Sequence, residues 1–281
     1  MAMGVRKKKD SGHCALKRSM EWNIFTLVKI KEALRYFLEC AFRGTAYSGW
    51  QRQPDALAVQ EVIEKALGTL LGEALSITGA GRTDTGVHAH QLYAHFNTEK
   101  PFEKEDLQHR LNRFLPEDIA IKGIWSVDDE AHARFDATSR SYRYWVMQTK
   151  DPFYSDWAHG VHRPLDLEAM NRAAQLLVGK KDFECFSKSK TDVKTYICDL
   201  RKAEWRKEGE LLIFEIEADR FLRNMVRAVV GTLLEVGLGK RSVESVHALL
   251  ASKDRSEAGV SVPAKGLSLK AIQYPYSDKL I

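Results

Sequence analysis

Between Gly79 and His90 the chain reads Gly-Ala-Gly-Arg-Thr-Asp-Thr-Gly-Val-His-Ala-His. One carboxylate, Asp84, sits there among Arg82, Thr83, Thr85 and the glycines. A structural turn needs glycine for its backbone but has no use for a charged Arg and Asp at its centre. A catalytic loop uses both, because glycines permit close approach and an acid supplies nucleophilic chemistry. Arg82 can hold Asp84 ionised or grip a phosphate. An aspartate in a glycine-rich turn is ordinarily an Asx-turn residue, but the density of Gly, Arg, Thr and Asp favours chemistry here. Asp84-Thr85-Gly86 also spells the signature of aspartic proteases, with Asp10-Ser11-Gly12 as a nominal second copy. Such a dyad shares a proton between two carboxyls, and the adjacent cations, Arg82 beside one and Lys7 to Lys9 beside the other, oppose the neutral form it requires. The protease reading is therefore rejected.

Two further constellations carry charge or aromatic surface. Arg220, Arg223 and Arg227 are spaced i, i+3, i+7 on what the apolar periodicity predicts to be a long helix, Phe221 to Val236. That helix is so apolar that Arg223 and Arg227 are expected to be partly buried, each needing an anionic partner such as an RNA phosphate or Asp84. Arg140-Ser141-Tyr142-Arg143-Tyr144 alternates as a strand, read with Tyr142 and Tyr144 on one face and Arg140 on the other. The tyrosines are either core aromatics or a platform on which a base stacks. His88, His90 and His95 do not read as a metal site, since His90 and His95 fall on opposite faces of a strand with no Cys or acidic ligand nearby.

The elements that must position these residues form a pattern that occurs twice. In the first half, Leu34–Arg43 alternates as a strand with Tyr36, Leu38, Cys40 and Phe42 on one face. A helix follows from Val59 to Leu71, stopped by Gly72; strands at Leu75–Thr78 and Leu92–Phe96 flank the Asp84 loop. A second helix spans Leu107 to Leu115 and a closing strand Ile119 to Ile124. The second half repeats the order: strand Ser141–Gln148, helix Leu167–Val178 with Asp166 as N-cap, strands Ile197–Arg206 and Leu211–Ala218, the Phe221 helix, and strand Leu267–Gln273. A short extra helix, Val243 to Leu250, begins after Ser242. The expected fold is α+β, two ferredoxin-like split βαβ units with antiparallel sheets and an active-site cleft between them. They occupy 34–130 and 139–281, joined near Ala131–Ser139.

Composition bounds the rest. With 281 residues, 44% hydrophobic and 29% charged, the chain is an ordinary globular protein with no membrane span or secretory signal, expected to be cytoplasmic. Residues 1–33 hold eight Lys/Arg and three Asp/Glu, leaving 35 of each sign in the body. The basic excess thus sits in a leader expected to be disordered, so any polyanion must meet the body at a local patch. Cys14, Cys40, Cys185 and Cys198 lack metal or disulfide spacing and read as free thiols, buried in a reducing compartment.

Set in order along the chain, these motifs closely resemble the TruA family of tRNA pseudouridine synthases. Gly81-Arg82-Thr83-Asp84 with Gly86-Val87-His88 resembles its catalytic motif, and Ser48-Gly49-Trp50-Gln51-Arg52-Gln53 with Val59-Gln60 its upstream signature. His132-Ala133-Arg134-Phe135, Arg140 to Tyr144, Arg223-Asn224-Met225-Val226-Arg227 and Gly266-Leu267 also match, whereas Phe42-Arg43-Gly44 departs from the usual Tyr-Asp-Gly. The resemblance implies isomerisation of uridine to pseudouridine in the tRNA anticodon arm (tRNA positions 38–40), without metal or cofactor, by a homodimer. It makes Asp84 the nucleophile, at ribose C1′ or uracil C6, with Arg227 paired to it and Tyr142 packed on the target base. Arg82 would then help extrude the base, Leu269 would wall the pocket, and Arg223 would contact RNA. The alternative is a non-catalytic RNA-binding or RNA-folding protein. A hydrolase would need a second carboxylate, which these motifs do not supply.

Overall fold

The computed structural model describes residues 34–188 and 193–280. The basic leader expected at 1–33, with Cys14, lies outside the described residues. Among the described residues, ten strands form one sheet. In the first half these are β1 (Leu34–Phe42), β2 (Thr78–Gly79), β3 (His88–Thr98) and β4 (Ile119–Val127), with helices α1 (Val59–Leu71) and α2 (Lys104–Phe114). In the second they are β5 (Ser139–Met147), β6 (His159–Gly160), β7 (Gly179–Asp182), β8 (Ile197–Glu208), β9 (Leu211–Ala218) and β10 (Leu267–Gln273). The second half's helices are α3 (Leu167–Gln175), α4 (Met225–Gly237) and α5 (Ser245–Ser252). The pairing is mostly antiparallel; β10 runs parallel to β3, and β6 to β5.

Strand order repeats between the halves. β2 pairs with β3 on the edge away from β1, so the first half runs β4-β1-β3-β2. The second half runs β10-β5-β9-β8, again fourth-first-third-second, with β7 added outside. The halves meet where Ser268 and Leu269 of β10 pair with His88 and Ala89 of β3. The Asp84 loop ends at that seam.

The predicted apolar faces are the ones buried, apart from Phe114 at the end of α2, which is exposed. Tyr36, Leu38, Cys40 and Phe42 of β1 join Ile63 and Leu67 of α1 and Leu107 and Leu111 of α2 in one core. Met170 and Ala173 of α3, Val229 and Leu233 of α4, and Trp205 and Phe214 of the strands fill the other. Gly72 closes α1 at φ 69°, and the Asp166 carboxylate caps α3 by accepting the Ala169 N–H at 2.8 Å. The described cysteines, Cys40, Cys185 and Cys198, are free and buried.

Two predictions are corrected. The strand expected at Leu75–Thr78 shrinks to Thr78–Gly79, because side chains take its ladder bonds: Glu64 accepts the Ile77 N–H and Gln60 donates to the Ile77 carbonyl, both at 2.9 Å. The helix expected from Phe221 starts only at Met225, since Asn224 before it is left-handed at φ 65°. A helix cannot pass through that conformation. Arg220 and Arg223 therefore lie in the loop ahead of α4 and form no helical stripe with Arg227.

Candidate active site

Asp84 lies in the connection Ala80–Val87 between β2 and β3. Its backbone is bonded at both ends: the Ala80 N–H donates to the Tyr93 carbonyl (2.8 Å) and the Gly86 N–H to the Tyr47 carbonyl (3.3 Å). The bed beneath is the Gly44–Trp50 segment. A Cβ at Gly44 would lie 2.0 Å from the Val87 carbonyl oxygen, and one at Gly49, where φ is 84°, would lie 2.2 Å from that of Thr83. Only glycine lets these backbones meet. The first free N–H groups of α1 then hold the bed, Val59 donating to the Gly49 carbonyl (3.2 Å) and Gln60 to that of Trp50 (3.0 Å). The Ser48–Gln53 and Val59-Gln60 motifs thus act at a distance, by seating the Asp84 loop.

His88 ties the loop to the second half. Its Nδ1 accepts the Gly44 N–H (3.0 Å), which leaves Nε2–H to donate to the Lys265 carbonyl (3.0 Å). Burial lowers its pKa, opposed by the Lys265 carbonyl bond, so the ring is neutral at physiological pH.

The second half brings its residues to the same place. An Arg227 Nη1 stands 3.5 Å from an Asp84 carboxylate oxygen, 143 residues away in sequence. The guanidinium is aimed by its other end, as Nε donates to the Val262 carbonyl at 2.7 Å. The Ala258–Gly266 segment carrying Val262 is pinned in turn, with Asn224 donating to Ser261 Oγ (2.6 Å) and the Tyr144 hydroxyl to the Pro263 carbonyl (2.9 Å). The sequence motifs reach this strap only at its end, in Gly266-Leu267, and pass over Gly259, whose Cβ would meet the Thr232 nitrogen at 2.6 Å.

Tyr142 is half-buried, its ring 5.1 Å from that of Phe221 and perpendicular to it. Burial pushes its phenol up to about 12; nearby Arg140 opposes this and the Asp84 charge adds to it. At neutral pH the hydroxyl is therefore a proton donor, not a base. Leu269 pairs with Tyr142 across the β5–β10 ladder and is only 2% exposed. Tyr144 is fully buried under the strap, so of the two tyrosines only Tyr142 offers surface. Arg140 shares the Tyr142 face, two residues away on an unbroken strand, which corrects its expected placement opposite. Its guanidinium is spent on the carbonyls of Ala137 (2.7 Å), Asp219 (2.8 Å) and Arg134 (2.7 Å).

Arg82 is exposed and makes no hydrogen bond or ion pair among the described residues. It does not hold Asp84. Arg223 is exposed as well, contrary to the partial burial expected of it. The Thr83 hydroxyl, directly beside Asp84 in the chain, is buried with no partner among the described residues. His90 is exposed against Trp145 and His95 is buried against Phe37. A register shift in β3 between Ala89 and Leu92 breaks the simple alternation from which opposite faces were expected, and both rings lie on the side of the sheet that carries Phe37 and Trp145. Among the described residues, no group of three or more His, Cys, Asp or Glu is placed to hold a metal ion. No described helix is long and apolar enough to cross a membrane.

A family model described as tRNA pseudouridine synthase matches residues 40–136 and 173–275. The chain belongs to the tRNA pseudouridine synthase family. It is 48% identical over 243 residues to tRNA pseudouridine synthase A of Bacteroides fragilis, covering 86% of this chain and 96% of that protein. Its counterpart in Parabacteroides distasonis is 49% identical over 242 residues, with the same coverage. The Francisella tularensis enzyme is 37% identical over 242 residues, 85% of this chain and 94% of its own. Pseudouridine synthases are isomerases, and tRNA pseudouridine synthesis is the reaction these matches support. The matched spans contain Asp84, Arg82, Arg223, Arg227 and Leu269; Tyr142 falls between them, so its place in the site rests on geometry.

Proposed function

We propose that the chain isomerises uridine to pseudouridine in the tRNA anticodon arm, with Asp84 as the nucleophile. The observation that carries this reading is the 3.5 Å approach of Arg227 to Asp84, with Tyr142 close enough to feel the Asp84 charge. Asp84 attacks either ribose C1′ or uracil C6; the C1′–N1 bond breaks, the base turns, and C5 rejoins C1′. The Asp84 bond is broken again, the C5 proton is lost and N1 is protonated, so that the product is an isomer of the substrate. Covalent carboxylate catalysis at a glycosidic carbon has its parallel in retaining glycosidases, and recapture of the base removes any need to activate water.

Arg227 orients the carboxylate from within hydrogen-bonding reach. Tyr142 packs on the uracil and hydrogen-bonds it as a neutral phenol. Arg82, exposed and unengaged among the described residues, is free to fill the stack from which the base is extruded, a step that costs a few kcal/mol. Arg223, also exposed, meets a phosphate, and Leu269 lines the pocket behind Tyr142. We read the repeated strand order as two ferredoxin-like units, 34–130 and 139–281, with the site in a cleft where they join. We also read the protein as a cytoplasmic homodimer whose tRNA contacts both subunits.

The test is incubation of wild type and Asp84→Ala with unmodified tRNA, followed by chemical mapping of pseudouridine. Anticodon-arm pseudouridine from wild type and none from the variant is the expected result. Product from Asp84→Ala would remove the nucleophile assignment, and product at other tRNA sites would remove the anticodon-arm assignment.

A further inference from the structure

The motif His132-Ala133-Arg134-Phe135 takes no part in the Asp84 arrangement, and the folding of its turn leaves one feature unexplained. Phe135 is 75% exposed. A ring left in water gains nothing from burial, and on a loose loop it would call for no account. This turn is not loose. Asp136 Oδ2 accepts the His132 N–H (2.7 Å) and the Tyr276 hydroxyl (2.8 Å). The Nδ1 of His132 accepts the N–H of Arg134 (3.1 Å) and of Phe135 (3.3 Å). Ala133 donates to His95 Nδ1 (3.2 Å), and its carbonyl receives the Tyr274 hydroxyl (2.6 Å). Arg140 holds the Arg134 carbonyl at 2.7 Å. These bonds fix the turn on several sides and hold one hydrophobic ring out in solvent.

The ring's neighbours indicate what it would meet. The His132 imidazole lies 4.3 Å from it, centroid to centroid and tilted 35°, and the Arg134 guanidinium carbon sits 5.8 Å from its centroid. An aromatic ring beside an arginine is a surface on which unstacked bases of single-stranded RNA settle. The exposed acids just upstream, Asp128, Asp129 and Glu130, repel phosphate, so the matching part of an RNA is a base face and not its backbone. Arg140, which grips this turn, shares a strand face with Tyr142 two residues on, a separation of about 7 Å.

We propose that Phe135 is a preformed stacking platform for an unpaired tRNA base a few nucleotides from the one that is modified. The platform rests on tRNA being the substrate; only its distance from the target base rests on the Tyr142 assignment. Because the backbone that carries the ring is already fixed, binding loses little conformational entropy in the turn.

The experiment measures affinity for unmodified tRNA with Phe135→Ala and Phe135→Trp, in wild type and in the Asp84→Ala background. The platform predicts about tenfold weaker binding for Phe135→Ala and recovery in Phe135→Trp, within the range for one base–aromatic stack. The loss persists with Asp84→Ala, which separates this proposal from the nucleophile assignment. Melting temperature serves as the folding control and stays unchanged, since the ring buries little. A photo-crosslinking benzoylphenylalanine at position 135 should attach to an unpaired nucleotide. Unchanged affinity in Phe135→Ala, or failure of Trp to restore it, would overturn the platform. So would crosslinks to a second protein chain, accompanied by a Phe135→Ala shift in sedimentation, because the ring would then be a protein contact.

Discussion

The two halves of the molecule position their charged residues by opposite means. In the first half Asp84 is held chiefly through backbone: its loop lies on Gly44 and Gly49, that bed hangs from the N-terminus of α1, and His88 adds a side-chain tie at Gly44. In the second half Arg227 is held through a side-chain bond, its Nε caught by the Val262 carbonyl of a strap that Tyr144 and Asn224 secure. A backbone cradle tolerates no added atom, because carbonyl oxygens cannot move aside one at a time. A side-chain clamp tolerates small change but loses its aim when the donor geometry changes.

The largest effect expected from this contrast is at the cradle. Gly49→Ala places a Cβ where the Thr83 carbonyl stands and displaces Asp84, so turnover should fall about a hundredfold, as for an ångström-scale misplacement. The melting temperature should fall with it; an active, equally stable Gly49→Ala enzyme would show that the loop reseats itself. Arg227→Lys keeps the charge but cannot bond Val262 and Asp84 together. It should lose roughly tenfold in single-turnover rate, about 1.4 kcal/mol of barrier, with little change in melting.

The two tyrosines of β5 sharpen the comparison. Tyr144→Phe removes a bond inside the clamp and should cost about 1 kcal/mol of stability, read from denaturant midpoints. Tyr142→Phe should leave the midpoint in place and lower the rate. If both variants moved the same observable, the division between clamp and site would fail.

The smallest effect is in pH dependence. His95 is lowered to about 4 by burial, with His132 and Arg35 adding and Asp136 opposing. Its unfolded value is near 6.5, so below that pH the unfolded chain binds the proton more readily. Stability is therefore complete above about pH 6.5 and declines as pH falls toward 4. His95→Asn, which keeps an acceptor toward the Ala133 N–H, should flatten that slope in melting experiments.

How far the site could be read varied residue by residue. Asp84 was legible because a charge among glycines conflicts with every purely structural role for a turn. Tyr142 and Tyr144 were indistinguishable by spacing, since both fall on one strand face; the strap over Tyr144 decided that one is core and the other surface. Arg223 was misplaced because apolar periodicity runs on through Asn224, whose left-handed backbone ends the helix without altering the pattern. Arg140 was expected opposite the tyrosines, but it shares their face, where the carbonyls of nearby Arg134 and Ala137 and of distant Asp219 claim it.

By itself the sequence determined the repeated order of strands and helices, the faces they bury, and the residue proposed for the chemistry. Each depends on neighbours within a turn or a strand pitch, and local sterics and hydrophobic periodicity act over that range. Only the tertiary structure decided that β10 would join β3 and close one sheet across both halves. It alone brought Arg227 to Asp84, because that approach depends on a strap and a glycine bed whose contacts span tens to hundreds of residues and leave no local period to read.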